Sequence, residues 1–262
     1  MCVGAKPIEA RLTAKSFLRA VIAMLVPFLP FAVIADEILV AVATNFAAPM
    51  QAIVARFAET TGNKVVPVFG STGKHYAQIK NGAPFAAFLA ADTERPALLE
   101  KERVAVADSR FTYAVGRLVL WSPREGYVDP GGQVLTDGDY RHLAIANPVV
   151  APYGRAAQEV LAARGLWEGL QRGRLVRGED IGQTFQFVRS GNVELGFVAY
   201  SQVKRPGHPP EGSWWVVPQA LYRPIEQQAV QLEDDATARA FLAFLRGDKA
   251  RAIIADYGYA LP

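Results

Sequence analysis

Short apolar runs alternate with segments of helical spacing from residue 38 onward, and this alternation constrains the fold more than any other feature. Ile38-Leu39-Val40-Ala41-Val42-Ala43 is apolar at every position, the pattern of a strand covered on both faces. Met50, Ile53, Val54 and Phe57 follow at helical spacing, and Thr61-Gly62-Asn63 breaks that helix. Lys64 to Phe69 reads as a second strand, Lys74 to Asn81 as a helix stopped by Gly82, and Ala86 to Ala91 as a third strand. Leu98 to Glu102 reads as a short helix. Phe111 to Trp121 is long, apolar and rich in β-formers, and a loop-rich stretch of Pro and Gly follows through Gly132. The alternation then resumes. Leu143–Ala146, Leu175–Arg177 and Leu195–Tyr200 read as strands, and Arg155–Ala163 and Thr184–Arg189 as helices. Pro206 to Ser213 reads as a loop, Ile225 to Leu232 as a second long β-run, and Thr237–Leu245 and Lys249–Tyr257 as closing helices.

Such alternation predicts an α/β protein with parallel sheets covered by helices. Two αβ groups joined by extended segments near residues 111–122 and 224–232 predict two lobes with a cleft between them. Lobe one then comprises residues 36–116 and 225–262, and lobe two residues 117–224.

The N-terminus has a different character. Lys6, Arg11, Lys15 and Arg19 give a basic start, the run from Ala20 to Ala35 is uncharged, and it ends Val33-Ile34-Ala35. Small residues at the last position and two before it suit signal peptidase, so residues 1–35 read as a secretory signal cleaved after Ala35, which implies an exported protein. The competing reading is a membrane anchor, but the run is short for a span and Pro27 and Pro30 interrupt it. Cys2 lies far from the cleavage point, which argues against a lipoprotein. The segment holds four of the 28 basic residues and one of the 25 acidic ones, so its removal leaves 24 of each. The formal charge of +3 therefore belongs to the signal. No bulk-charge case for nucleic-acid binding survives in the mature chain. The single cysteine leaves with the signal too, which excludes disulfides.

Four strand-to-helix junctions share one chemistry: Thr44-Asn45-Phe46, Gly70-Ser71-Thr72-Gly73, Ala151-Pro152-Tyr153-Gly154 and Asp180-Ile181-Gly182. In open αβ sheets these junctions sit at the carboxyl ends of strands, where ligands bind. A helix start offers unpaired N–H groups and the positive end of the dipole, which favour an anion. Ser, Thr and Asn before helices also serve as ordinary N-caps, and any one junction alone fits that role. Gly-Ser-Thr-Gly lacks the Lys-Ser/Thr ending of a nucleotide-binding loop. His75, His142 and His208 are too far apart for a metal-ligand pattern, and no Gly-x-Ser-x-Gly elbow or nucleophile with an evident base occurs. These absences weigh against an enzyme.

At these junctions the chain resembles the periplasmic molybdate-binding proteins over nearly its whole mature length. The resemblance is carried by Ala43-Thr44-Asn45-Phe46, Gly70-Ser71-Thr72-Gly73, Asn81-Gly82-Ala83-Pro84, Arg110-Phe111-Thr112-Tyr113-Ala114, Asn147-Pro148, Ala151-Pro152-Tyr153-Gly154 and Leu195-Gly196-Phe197-Val198-Ala199. It implies a type II periplasmic-binding fold of two αβ lobes joined by two crossover segments. It further implies a monomer without cofactor that hands molybdate or tungstate to an ABC transporter permease in the inner membrane, the metal entering only as its oxyanion. By position, Thr44 and Asn45 supply hydroxyl, amide or backbone donors. Thr72 stands where the family usually has serine, with Ser71 beside it, and Tyr153 and Ile181 offer backbone N–H groups. Ala199 stands where some members use a tyrosine hydroxyl, and Tyr200 would face the other side of a strand. A receptor for sulfate or another oxyanion, an exported αβ enzyme, and a sensory protein whose cleft only signals are the alternatives.

The signal reading predicts that the exported protein begins at Asp36. Mass spectrometry of the secreted chain would find residues 1–35 absent, and their retention would defeat the reading.

Overall fold

The computed structural model describes residues 1–4 and 37–262. The expected signal segment and its cleavage point lie outside the described residues, apart from its first four positions. Ten strands are described: β1 Glu37–Ala43, β2 Lys64–Gly70, β3 Ala87–Leu89, β4 Phe111–Gly116, β5 Leu118–Ser122, β6 Leu143–Ala146, β7 Leu175–Gly178, β8 Leu195–Ala199, β9 Ser213–Val216 and β10 Ile225–Gln231. Ten α-helices accompany them: α1 Ala47–Thr61, α2 Thr72–Lys80, α3 Glu94–Lys101, α4 Val134–Asp137, α5 Pro152–Ala163, α6 Trp167–Leu170, α7 Ile181–Arg189, α8 Tyr200–Val203, α9 Ala236–Arg246 and α10 Asp248–Asp256.

The strands form two five-stranded sheets, in the orders β2-β1-β3-β10-β4 and β7-β6-β8-β5-β9. Each sheet is a lobe with helices on both faces. In the first, Val40 and Val42 point to a layer made by Phe46, Met50, Ile53 and Phe57 of the α1 region and Phe241 and Leu245 of α9. Their neighbour Ala41 points the other way, to Ile79 of α2 and Leu99 of α3. The second sheet repeats the arrangement. Leu118 and Leu120 meet Val160 and Leu161 of α5, while Val119 and Trp121 meet Val188 of α7. Burial on both faces explains why these strands are apolar at every position rather than at alternate ones.

The sheets are mixed, not parallel as the alternation suggested. β1 runs parallel to β2 and β3, but β10 is antiparallel to both β3 and β4. In the second sheet β6 is parallel to β7 and β8, and β5 is antiparallel to β8 and β9. The reason lies in the connections. The apolar run Phe111–Trp121 is not one strand: it divides at Arg117, with β4 in the first sheet and β5 in the second. The run at Ile225 lies wholly in the first sheet, so the return between sheets is made by residues 217–224 rather than by 224–232. Each sheet thus receives, as the fourth strand in its order, one antiparallel strand that has just arrived from the other sheet. β9, absent from the sequence reading, covers the outer side of β5 with Trp214 and Trp215 opposite Trp121 and Leu120.

Local signals act as read at several ends. Gly62 closes α1 in the left-handed region, at φ 77°, where its N–H reaches the Ala58 carbonyl. α2, α5 and α7 begin earlier than their apolar periodicity indicates, at Thr72, Pro152 and Ile181. Their first turns carry the polar junction residues, and this earlier start is what sets the geometry of the site.

Candidate functional site

The four junctions meet. Thr44 and Asn45 after β1, Ser71 and Thr72 after β2, Tyr153 at the start of α5 and Ile181 at the start of α7 all line one small cavity between the lobes. Thr72 and Tyr153 are each 1% exposed.

The backbone N–H groups of the first turn of a helix have no partner inside that helix, so each must be accounted for. In α2, Gly73 N–H donates to the Val150 carbonyl at 2.9 Å and Lys74 N–H to Ser71 Oγ at 3.3 Å. Only Thr72 N–H is left over. In α5, Pro152 has no N–H and Gly154 N–H turns back to the Ala151 carbonyl, which leaves Tyr153. In α7, Gly182 N–H donates to Thr44 Oγ1 at 3.3 Å and Gln183 N–H to Asp180 Oδ1 at 2.9 Å, which leaves Ile181. Each of the three helices therefore retains one amide without a protein acceptor among the described residues, and all three amides belong to cavity-lining residues.

The hydroxyls follow the same rule. Thr44 Oγ1 accepts from Gly182 N–H, Ser71 Oγ from Lys74 N–H, and Thr72 Oγ1 from Ala91 N–H at 3.1 Å. With the oxygen already accepting, each hydroxyl turns its proton elsewhere, and among the described residues none of the three donates to a protein acceptor. The cavity is a set of donors. Its one carboxylate, Asp180, caps α7 through Oδ1. Ser71, not Thr72, caps α2.

Three sequence expectations need refinement here. The Asn45 side chain does not face the cavity with its amide: Nδ2 donates to Gln227 Oε1 at 2.8 Å and to Tyr259 OH at 2.9 Å. Any donor from Asn45 to a ligand is its backbone N–H. Tyr200 is not on a strand, because β8 ends at Ala199 and Tyr200 opens α8, with the Arg117 guanidinium 4.9 Å above its ring. Tyr153 keeps its amide at the cavity while its phenol is buried and bonded to Gln227. Gln227, Tyr113, Tyr259 and Ser201, which build this buried network, were not read from the sequence. The visible signal was Gln227-Gln228 inside an otherwise apolar strand. Burial raises the pKa of the phenols of Tyr113, Tyr153 and Tyr259, so they remain neutral hydroxyls.

Behind the second junction lies His75, 1% exposed. Its Nε2 is 3.2 Å from the Val42 carbonyl on β1, and its Nδ1 is 3.0 Å from the side-chain amide of Gln78. It ties the end of β1 to α2 and so braces Thr44 against Thr72. Burial holds its pKa below the usual imidazole value. Among the described residues no group of His, Cys, Asp and Glu could hold a metal ion, and no helix is long and apolar enough to cross a membrane.

Comparison with known proteins agrees with this geometry. The family described as bacterial extracellular solute-binding protein matches residues 38–260. The molybdate-binding protein ModA of Azotobacter vinelandii is 52% identical over 249 residues, covering 94% of this chain and 98% of its own. That of Rhodobacter capsulatus is 49% identical over 229 residues, covering 86% and 88%. Among solved structures, the Azotobacter vinelandii periplasmic molybdate-binding protein superposes with a TM-score of 0.84 at 43% identity, covering 86% of this chain and all of that one.

A histidine with a depressed pKa binds its proton more readily in the unfolded chain. Its stabilising contribution is complete above the unfolded value of about 6.5 and is lost as pH falls below it. Melting curves between pH 7 and pH 5 are therefore expected to fall more steeply for the wild type than for His75→Gln. Equal slopes would mean that His75 does not titrate on unfolding.

Proposed function

The chain belongs to the bacterial extracellular solute-binding protein family, and from that premise we propose that it captures molybdate in the periplasm and delivers it to an ABC importer. It is a binding protein, not an enzyme. The observation that carries the ligand assignment is the donor set: three leftover helix-start amides and three hydroxyls whose oxygens already accept from backbone N–H groups, all around one cavity. A tetrahedral dianion has only acceptors to offer, so every one of these donors finds a partner. A protonated anion such as phosphate carries a hydrogen that needs an acceptor, and the groups turned to the cavity are amides and hydroxyls that donate. Three helix dipoles add a favourable potential for negative charge. Each charge-assisted hydrogen bond contributes about 1.5–3 kcal/mol, and several are required because the buried dianion gives up its water.

The ligand-binding residues in this reading are Thr44, Ser71 and Thr72 through hydroxyls, and Asn45, Thr72, Tyr153 and Ile181 through backbone N–H groups. Tungstate, a tetrahedral dianion like molybdate, is the second expected ligand, and sulfate is selected against by cavity size. Lobe one comprises residues 36–116 and 225–262, and lobe two residues 117–224, in keeping with the strand membership of the two sheets. The oxyanion bridges them. Direct contacts across the cleft support closure around it: Thr44 with Gly182, Gly73 with Val150, and Lys74 with Glu179 at 2.8 Å. A closed, loaded monomer is the form that the inner-membrane permease receives. Opening turns about the two connections at Arg117 and at residues 217–224.

Calorimetry of the mature protein is expected to give strong binding of molybdate and tungstate, much weaker binding of sulfate and none of phosphate. Thr72→Ala is expected to weaken molybdate at least tenfold. It also frees the Ala91 N–H, at a cost to folding of about 1–3 kcal/mol. Thr72→Ser keeps the hydroxyl and is expected to recover most of the affinity. Small-angle scattering with molybdate is expected to register compaction. Preference for sulfate would transfer the reading to a sulfate receptor, and an unchanged affinity in Thr72→Ala would remove that hydroxyl from the site.

A further inference from the structure

Tyr153 faces two ways. Its amide is the leftover donor of α5 at the cavity, while its phenol runs into the boundary between the lobes. There the hydroxyl is 3.1 Å from Gln227 Nε2 on β10, and the Gln227 side chain is wholly buried. Gln227 Oε1 accepts from Asn45 Nδ2 at 2.8 Å and from Tyr113 OH at 3.0 Å. Asn45 Nδ2 also donates to Tyr259 OH, which donates to Ser201 Oγ at 2.9 Å, which in turn donates to the Asn45 carbonyl at 2.8 Å. Asn45, Tyr113, Gln227 and Tyr259 stand with the first sheet and its helices, and Tyr153 and Ser201 with the second. No buried side-chain nitrogen or oxygen among the described residues lacks a partner.

The phenol has a prepared seat. Gly116 ends β4, immediately before the chain leaves for the second sheet, and it lies opposite Ile225, where the return connection enters β10. A Cβ built on Gly116 would come within 2.1 Å of Tyr153 OH and 2.7 Å of Gln227 Nε2. The hydroxyl therefore rests on bare backbone at the level where both connections between lobes pass. A tyrosine that only filled the core would need neither a polar partner from the other lobe nor a glycine beneath its hydroxyl.

We infer that Tyr153 is the pivot of the cleft: its hydroxyl, held by Gln227 and seated on Gly116, fixes the position of the α5 start relative to Thr44 and Thr72. Gln227 is a positioning residue for the ligand although its side chain engages only protein groups. The inference rests on the oxyanion reading above. It accounts for a polar residue buried in β10 and for a hydrogen-bonded phenol beside a donor amide, neither of which the ligand contacts require. Loss of the hydroxyl lets the α5 start move against lobe one, so the donor set no longer matches a fixed tetrahedron and the ligand escapes sooner.

The test compares Tyr153→Phe and Gly116→Ala with Tyr140→Phe, a control in lobe two. Tyr140 is 7% exposed and donates to the Leu135 carbonyl at 3.2 Å, away from the boundary. Molybdate calorimetry is expected to show a fivefold to fiftyfold loss of affinity in the first two variants and less than a twofold change in the control. All three are expected to lower the ligand-free melting temperature. Spin labels on Glu59→Cys and Arg172→Cys, one on each lobe, supply a readout without ligand. Tyr153→Phe is expected to widen their distance distribution, and Tyr140→Phe to leave it unchanged. Wild-type affinity in Tyr153→Phe with an unchanged distribution would overturn the pivot and leave the hydroxyl a purely structural group. A widened distribution with no molybdate binding by the wild type would support the pivot and defeat the oxyanion reading instead.

Discussion

The structure depends on one constraint: a helix start leaves amides that must be paired, and among the described residues three helices each leave one without a protein acceptor toward the same small space. An unpaired buried N–H costs about 1–3 kcal/mol, so each of these amides favours an acceptor supplied by a ligand. That requirement explains features that look unrelated. Pro152 at the head of α5 removes one amide that would otherwise need a partner. Asp180 and Ser71 each absorb a neighbouring amide as a cap, which leaves a single donor per helix. The hydroxyls of Thr44 and Thr72 take up two further backbone N–H groups, and with them acquire an orientation.

Two helix starts come from one side of the lobe boundary and one from the other, with the 3₁₀ turn at Thr44–Phe46 completing the set. Convergence therefore needs the carboxyl edges of two separate sheets to face each other. The topology achieves this by exchange. β4 passes directly into β5 and β9 returns to β10, so each sheet holds an antiparallel strand inserted from the other. The two lobes are tied twice at nearly the same level, at Gly116 and Ile225.

The ion pairs that cross the cleft are exposed ones. The Lys74–Glu179 and Arg155–Glu94 pairs that cross the cleft keep both partners substantially exposed. Exposed ion pairs contribute about 0–1 kcal/mol each, so they hold the two lobes together only weakly. The buried polar network around Gln227 lies at the boundary itself. Its neutral phenols and amides, each with a partner, give the boundary a fixed register without placing a charge in the interior.

The sequence by itself determined much of this. Apolar runs with both faces buried announced the strands, Gly62 announced the end of α1, and the Ser, Thr and Pro residues before helices marked the junctions that line the cavity. These features are legible because strand burial and helix ends are local: a few consecutive residues contain their cause. The direction of β5 and β10, the division of the 111–121 run at Arg117, and the inward commitment of the Asn45 amide were decided by tertiary structure alone. Strand direction depends on which sheet a segment joins, and nothing in Phe111–Trp121 records that its two halves belong to different lobes. Asn45 reads locally as a donor at a helix start. Its amide turns inward because Gln227, 182 positions later, carries the acceptor that satisfies it, and a pairing across that distance exists only once the chain has folded.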